Sequence, residues 1–288
     1  MEGHANMNSN DKMIDIPHHL LQNKINDKMI AVIKCTEDGI LCGIDKVIKS
    51  ALENGLEILE TKFNGDCIKA NDKLIVLKGN TLDIIKGEDL YLSYLCKPSG
   101  IASTGYKAKQ MAGELKVVSG GWKKIPLEYK NTLREALTVS GVGLRILDEP
   151  FIYLDKNYLS VHKTIEDLIC IAKTIPSRRI AIQIKGNTDS IEGEALKAAE
   201  LGVSVIMIDT GNIEDINKCS AILRENKLRH NLQLAYAGGI CLNDIEKIRN
   251  LDVDLIDVGR TIIDAPLLDI RYNVYWEEDY YAKFAGKN

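Results

Sequence analysis

No Cys-X-X-Cys pair, no histidine cluster, no basic stripe and no apolar run of membrane length occurs in these 288 residues. Each absence removes a class of function. The seven cysteines, at positions 35, 42, 67, 96, 170, 219 and 241, are odd in number and sit mostly inside apolar runs. That pattern predicts buried, reduced thiols of a cytoplasmic protein, not a disulfide framework or a zinc site. His4, His18 and His19 fall near the N-terminus, and His162 and His230 at helix or loop edges, so no metal-binding trio is in view. A membrane-spanning helix needs about 18 consecutive apolar residues, and the chain has no such run. The opening MEGHANMNSNDKM lacks the apolar core of a signal peptide, and residues 1–28 read as a disordered leader. A net charge of -4, with the basic residues scattered, argues against nucleic acid as a partner. Any anionic ligand has to be gripped locally.

What remains is 45% hydrophobic and 27% charged, the make-up of a globular protein with one large or two ordinary domains. The stretch LQLAYAGGICLNDIEKIRNLDVDLIDVGR (232–260) organises the rest, because two apolar runs in it end in glycine. Gly238-Gly239 follow the first run and Gly259 the second. Glycine just past a buried strand lets the backbone approach a ligand, and free N–H groups there suit a phosphate where a helix begins at once. Leu242-Asn243-Asp244 provide that helix start. The alternative reading of the pair is a tight left-handed turn.

Residues 29–114 carry the short runs MIAVIKC, GILCG, GLEILETK, KLIVLKG and TLDIIKG, separated by Asp-Gly, Asn-Gly and Gly-Asp punctuation, with a helix over 44–54. They predict a small N-terminal α/β sandwich domain. Residues 88–110 read as a helix, turn, helix linker broken at Pro98-Ser99-Gly100. Beyond Leu115, strands at 115–118, 151–154, 180–184, 203–208, 232–235 and 255–258 alternate with helices at 129–138, 164–174, 190–201, 213–225 and 242–249. Six strands in that order predict a parallel sheet able to close as a C-terminal α/β barrel over 115–270. The tail, 271–288, sets aromatics beside acids and points to packing on the N-terminal domain or a partner subunit.

Ligands of such sheets sit at the C-terminal strand ends, which selects 119–124, Asp155, Lys185, Asp209, 237–239 and Gly259-Arg260. Lys185 and Asp209 are the catalytic candidates: a lysine beside an aspartate in a dry mouth serves as a base or Schiff-base nucleophile. The plain alternatives are a solvent-facing lysine and a helix cap. Lys123 and Arg145 are candidate anion anchors, and Trp122 a candidate stacking face for a planar ring.

SGIAST (99–104), GGI (238–240), VDLIDVG (253–259) and DAPLLDI (264–270), in that order and spacing, resemble the quinolinate phosphoribosyltransferase family. The resemblance runs from about residue 29 to 273. It implies a type II phosphoribosyltransferase that joins a pyridine dicarboxylate to phosphoribosyl pyrophosphate with Mg²⁺ and releases CO₂, its sites completed across a homodimer. Carried over residue by residue, the likeness breaks on one side of the site. The family's Glu-Arg reads Glu88-Asp89, its Thr-Arg-Lys-Thr reads 121–124 with Trp122 in place of the arginine, and its His-Arg reads Leu144-Arg145. Its Lys-Asp-Asn-His reads Asp155-Lys156-Asn157-Tyr158, and a strand-end carboxylate reads Lys185. Asp209 survives, and Ser-Gly-Gly reads Ala237-Gly238-Gly239.

A buried dicarboxylate needs paired cations, because an unpaired charge out of water costs several kcal/mol. With Asp89, Trp122 and Asp155 at cationic positions, the pocket suits quinolinate badly. The resemblance therefore implies a phosphoribosyltransferase-like enzyme whose phosphosugar half is kept and whose small aromatic acceptor is not quinolinate. Gly238, Gly239, Gly259 and Arg260 would hold the phosphate, Asp209 the ribose or Mg²⁺, Lys123 and Arg145 the pyrophosphate or an acid group, and Trp122 with Asp155 the acceptor side. Two readings stand beside it: a paralogue that binds without transferring, and a Lys185-based lyase in the same barrel.

Overall fold

The computed structural model describes residues 15–284, the Trp122 side chain excepted. The residues 1–14 of the expected leader lie outside the described residues, but its second half is structured: Ile16–Leu21 is a helix whose first turn is capped by the Asp15 carboxylate. The strands, in order, are β1 (Lys28–Cys35), β2 (Gly39–Ile40), β3 (Glu57–Thr61), β4 (Cys67–Ile68), β5 (Lys73–Asn80), β6 (Lys116–Val118), β7 (Phe151–Leu154), β8 (Arg179–Ile184), β9 (Val205–Asp209), β10 (Gln233–Ala237), β11 (Leu255–Asp257) and β12 (Ile270–Trp276). The described residues divide into two compact units, one of residues 15–38, 43–96 and 268–284, the other of 39–42 and 97–267.

The first unit is built on an antiparallel sheet in the order β12-β1-β5-β3. β1 is buried on both faces: Ile30 and Val32 join Val76 and Tyr280 in one core, while the alternate residues Ala31 and Ile33 are equally shut from water. The tail belongs to this unit. β12 lies antiparallel to β1 from Met29↔Trp276 to Cys35↔Ile270, and Tyr280 and Phe284 of the following helix stack at 4.9 Å. Tyr275, Tyr280 and Phe284 of the tail pack on the first core, the N-terminal-domain alternative of the expectation, while Trp276 and Tyr281 are exposed.

Two local readings of the sequence are corrected here. TLDIIKG is the first turn of a helix, Thr81–Ala112, because Asn80 accepts a hydrogen bond from the Asp83 amide and fixes the N-terminus. The same helix runs through Pro98 without a break. Proline leaves the carbonyl four residues earlier without its partner, here that of Tyr94. Gly43 (φ +94°) packs over that carbonyl, and a Cβ on it would lie 2.0 Å from the oxygen. Only glycine fits this approach.

The second unit is a six-stranded sheet, all its ladders parallel, in the order β6-β11-β10-β9-β8-β7. Its strands alternate strictly. Val117, Ile182, Ile206, Leu234 and Ile256 face the helices, while Val118, Ala181, Val205, Met207, Ala235 and Leu255 fill a second core with Ile146 and Leu147. Burial on both faces is what a parallel sheet covered by crossover helices requires. At the β6 edge, Val118 meets Gly143 in a single parallel bridge. The cysteines are all free, as expected, but Cys67, Cys170 and Cys241 are exposed, against the expectation of burial.

Candidate active site

Continuing the inward register by one step past the apolar layer gives the floor of a cavity. After Phe151 comes Tyr153, after Ala181 Gln183, after Met207 Asp209, and after Leu255 Asp257. All four line a cavity of about 770 Å³ in the second unit, together with Gly238, Gly239 and Gly259. The sheet thus changes from apolar to polar within one layer at its C-terminal end, which is where parallel sheets present ligand groups.

The three glycines proposed from sequence do meet. The loop after β10 is tied to the loop after β11 by Thr261, whose hydroxyl donates to the Ile240 carbonyl at 2.6 Å. Gly238 is at φ +114° and Gly239 at φ +79°, and neither amide donates to an acceptor among the described residues. The helix beyond, Leu242–Ile248, does not share this role, because Asp244 accepts from the Cys241 amide at 2.9 Å and places a carboxylate at its start. Anion capacity is left to the loop amides and the side chains around them.

Those side chains are cationic. Lys123, Lys124, Arg145 and Arg178 line the cavity and form no ion pair among the described residues. Arg260 also lines it, but its Nε is held by Asp264 at 3.1 Å. Arg178, just before β8, was not selected from sequence because it stands at the opposite end of its strand from the residues that inspection of strand ends covers.

Lys185 is placed differently. Its Nζ sits 3.0 Å from Asp209 Oδ2 and also donates to the Asp209 carbonyl, and it is not part of the cavity lining. The same carboxylate oxygen accepts from the Gln183 amide. Lys185 therefore acts on Asp209 as a counter-ion, and the pair is one unit of the site. Behind it, the fully buried Glu194 accepts from the amides of Lys185 (3.0 Å), Gly186 (2.8 Å) and Thr188 (2.7 Å) and from the Thr188 hydroxyl (2.8 Å). Asp155 caps the helix Lys156–His162 through the amides of Asn157 (2.9 Å) and Tyr158 (3.3 Å) and does not line the cavity. Trp122 belongs to the turn Gly121–Lys124, and its side chain lies outside the described residues.

Asp257 is the site residue the sequence reading passed over, though the signal was available: in LIDVG, counting by two from the buried Leu255 puts the aspartate inward. Its Oδ1 accepts from the Gly120 amide at 2.8 Å, and a Cβ on Gly120 would come within 2.5 Å of Oδ2, so the carboxyl occupies a niche that only glycine leaves open. Burial pushes its carboxyl above the usual range, opposed by the Gly120 N–H, reinforced by the Asp209 charge and opposed again by Lys124 and Lys123. Burial likewise raises Tyr153, with Asp257, Asp209 and Asp155 adding to it, so Tyr153 remains a neutral phenol.

The sign of the consequence for stability follows from proton counting. A carboxyl whose folded value lies above its unfolded one binds more protons in the native state between the two, so stability falls as pH rises through that window. Asp257→Asn is expected to raise the melting temperature at pH 7 and to reduce the gain in stability seen on mild acidification. Thermal unfolding of both proteins at pH 5 and pH 7 checks it; an unchanged or lower melting temperature at pH 7 would refute the buried-carboxyl reading.

As for Mg²⁺, no group of three His, Cys, Asp or Glu side chains comes together as a metal cage among the described residues. The Asp209 carboxylate, expected to hold the ion, faces Lys185 and Gln183. These protein groups do not by themselves fit a magnesium site.

The second unit is a parallel α/β unit whose cavity is lined by glycine turns and cationic side chains, and it is accompanied by a separate antiparallel unit. Family models agree along the chain: the quinolinate phosphoribosyl transferase N-terminal domain matches residues 15–99 and the C-terminal domain residues 102–273. The chain belongs to the quinolinate phosphoribosyl transferase family. It is similar to the probable nicotinate-nucleotide pyrophosphorylase (carboxylating) of Archaeoglobus fulgidus, 26% identical over 85% of this chain and 93% of that one. Its similarity to the Rattus norvegicus nicotinate-nucleotide pyrophosphorylase (carboxylating) is 25% identity, over 72% and 69%. Among solved structures, the Pyrococcus furiosus nicotinate-nucleotide pyrophosphorylase superposes with a TM-score of 0.77 at 20% identity, over 88% of this chain and 71% of that one. The Francisella tularensis protein gives 0.74 at 21%, over 87% of each. No helix among the described residues is long and apolar enough to cross a membrane.

Proposed function

We propose that this protein transfers a phosphoribosyl group from phosphoribosyl pyrophosphate to a planar aromatic acceptor other than quinolinate. The observation that carries this is the distribution of charge around the cavity. Lys123, Lys124 and Arg145, none of them in an ion pair among the described residues, line a cavity shared with the Gly238 and Gly239 amides, which suits the phosphates of the donor. The floor holds Tyr153, Gln183, Asp209 and Asp257, two of them carboxylates, which disfavours a second dianion there. The names of the curated relatives support the phosphosugar half of this reading.

In this reading Gly238, Gly239, Gly259 and Arg260 receive the 5′-phosphate. Lys123 and Arg145 hold the pyrophosphate, and Asp209, steadied by Lys185, receives ribose hydroxyls. The C1–O bond to pyrophosphate breaks as the acceptor nitrogen bonds to C1. Positioning and stabilisation of the departing charge supply the acceleration, so no histidine is required.

Calorimetry with phosphoribosyl pyrophosphate in Mg²⁺ buffer is expected to show binding that weakens about 10- to 100-fold in Lys123→Ala and again in Arg145→Ala, the loss of one charge-assisted contact each. No binding at millimolar ligand would sink the proposal.

A further inference from the structure

Asp257 lines the cavity and forms no ion pair among the described residues, whereas Asp209 is matched by Lys185. The charged groups whose fields reach it are Asp209, Lys124 and Lys123, with the Tyr153 phenol across the floor. Among the described residues one hydrogen bond engages it, from the Gly120 amide to Oδ1, and none reaches the second oxygen. The niche around it is glycine: Gly120 and Gly259 would each bring a Cβ within 4 Å of the carboxylate. Gly120, Gly121 and Gly259 line the same cavity as Asp257, so backbone and not side chain borders the carboxylate on this wall, an arrangement that suits a flat ring presenting its edge to it.

A dicarboxylate edge would meet Asp257 charge to charge. A neutral heterocycle with a ring N–H would meet it donor to acceptor. We infer that the acceptor is a neutral planar heterocycle carrying a ring N–H, and that Asp257 accepts that proton as the nitrogen attacks. This deepens the proposed phosphoribosyl transfer and rests on it. The balance is simple: the N–C1 bond forms, the C1–O bond breaks, the bonding pair leaves with pyrophosphate, and the proton passes from nitrogen to Asp257. No oxidant or further reactant enters. A pyridine nitrogen, lacking a proton, needs no such base, so a carboxylate on this floor without an ion pair among the described residues is a feature of a different acceptor. A carboxyl whose burial moves its titration toward neutrality is suited to take a proton at ordinary pH.

The test uses the full chain with phosphoribosyl pyrophosphate and Mg²⁺. Imidazole, uracil and hypoxanthine are offered as N–H probes, with quinolinate as the contrast, and nucleotide products are read by mass spectrometry. At least one N–H probe is expected to give a nucleotide and pyrophosphate, and quinolinate none. Asp257→Asn keeps the shape and the Gly120 contact. It is expected to lower turnover about 100-fold or more, the usual contribution of a positioned base, with donor affinity within about twofold of wild type. The acidic limb of the pH–rate profile should vanish with it. Asp257→Ser serves if the first variant does not fold. Turnover of quinolinate, failure of all three N–H probes with the donor bound, or wild-type turnover and pH profile in both variants would each overturn the inference. Failure to bind the donor at all would instead remove the phosphoribosyl reading beneath it.

Discussion

Gly238→Ala is expected to lose about 3 kcal/mol of stability, to melt roughly 10 °C lower and to bind phosphoribosyl pyrophosphate at least about tenfold more weakly. At φ +114° an L side chain is already strained, and the added Cβ would lie 2.4 Å from the Gly211 amide nitrogen and 2.8 Å from its Cα. Both obstacles are backbone, so no flexible side chain can turn aside. Gly211 is itself at φ +76°, and a Cβ there would approach the Gly238 carbonyl at 2.9 Å; the loops after β9 and β10 approach closely through the backbones of Thr210, Gly211 and Gly238. Pushing them apart displaces the two amides left for the phosphate. The control is Gly239→Ala, at φ +79° with nothing within 4 Å, where only strain of about 1 kcal/mol remains. Equal losses in the two variants, by thermal unfolding and calorimetry, would refute the backbone-contact argument.

Glu194→Ala should cost about 2–4 kcal/mol and also depress activity. Four donors converge on this side chain, and hydrogen bonds to a charged acceptor are worth about 1.5–3 kcal/mol each. Residues 186–190 are exposed, so water replaces part of what is lost, and the net falls well below the sum. The effect on function comes through Lys185, whose amide is one of the four donors and whose ammonium neutralises Asp209. Once the loop is released, Asp209 loses its counter-ion, and the KM for the donor should rise more than kcat falls. Glu194→Gln keeps the shape and should retain most of both. Urea unfolding and steady-state kinetics decide; an alanine variant with the wild-type unfolding midpoint would show that the loop is held otherwise.

The class of the fold was legible because its signals are local. Apolar runs of four to six residues, each followed by an amphipathic helix, can bury both faces only as a covered parallel sheet, and the six strands lie where that alternation puts them. Gly238, Gly239 and Gly259 could be tied to a ligand for the same reason, since a glycine directly after a buried strand marks close backbone approach. The family itself was readable from motif order and spacing.

What was not legible depends on contacts between distant residues. Pro98 reads as a break until Gly43, fifty-five positions earlier, is seen packed on the carbonyl that proline leaves unpaired. The sequence places Lys185 and Asp209 at neighbouring strand ends, and the structure adds that the ammonium lies 3.0 Å from the carboxylate and off the cavity lining. Asp155 reads as a pocket residue until its carboxylate is found on the amides of its own helix. Asp257 was hidden among apolar neighbours and took its meaning from Gly120 and Gly259, which border its carboxylate from the end of β6 and the end of its own strand. Sequence by itself determined where the strands, helices and phosphate-binding turns lie, because propensity and periodicity act over a few residues. Tertiary structure alone decided which charges are neutralised and which are left for a ligand, because a counter-ion is set by distance in space and not along the chain.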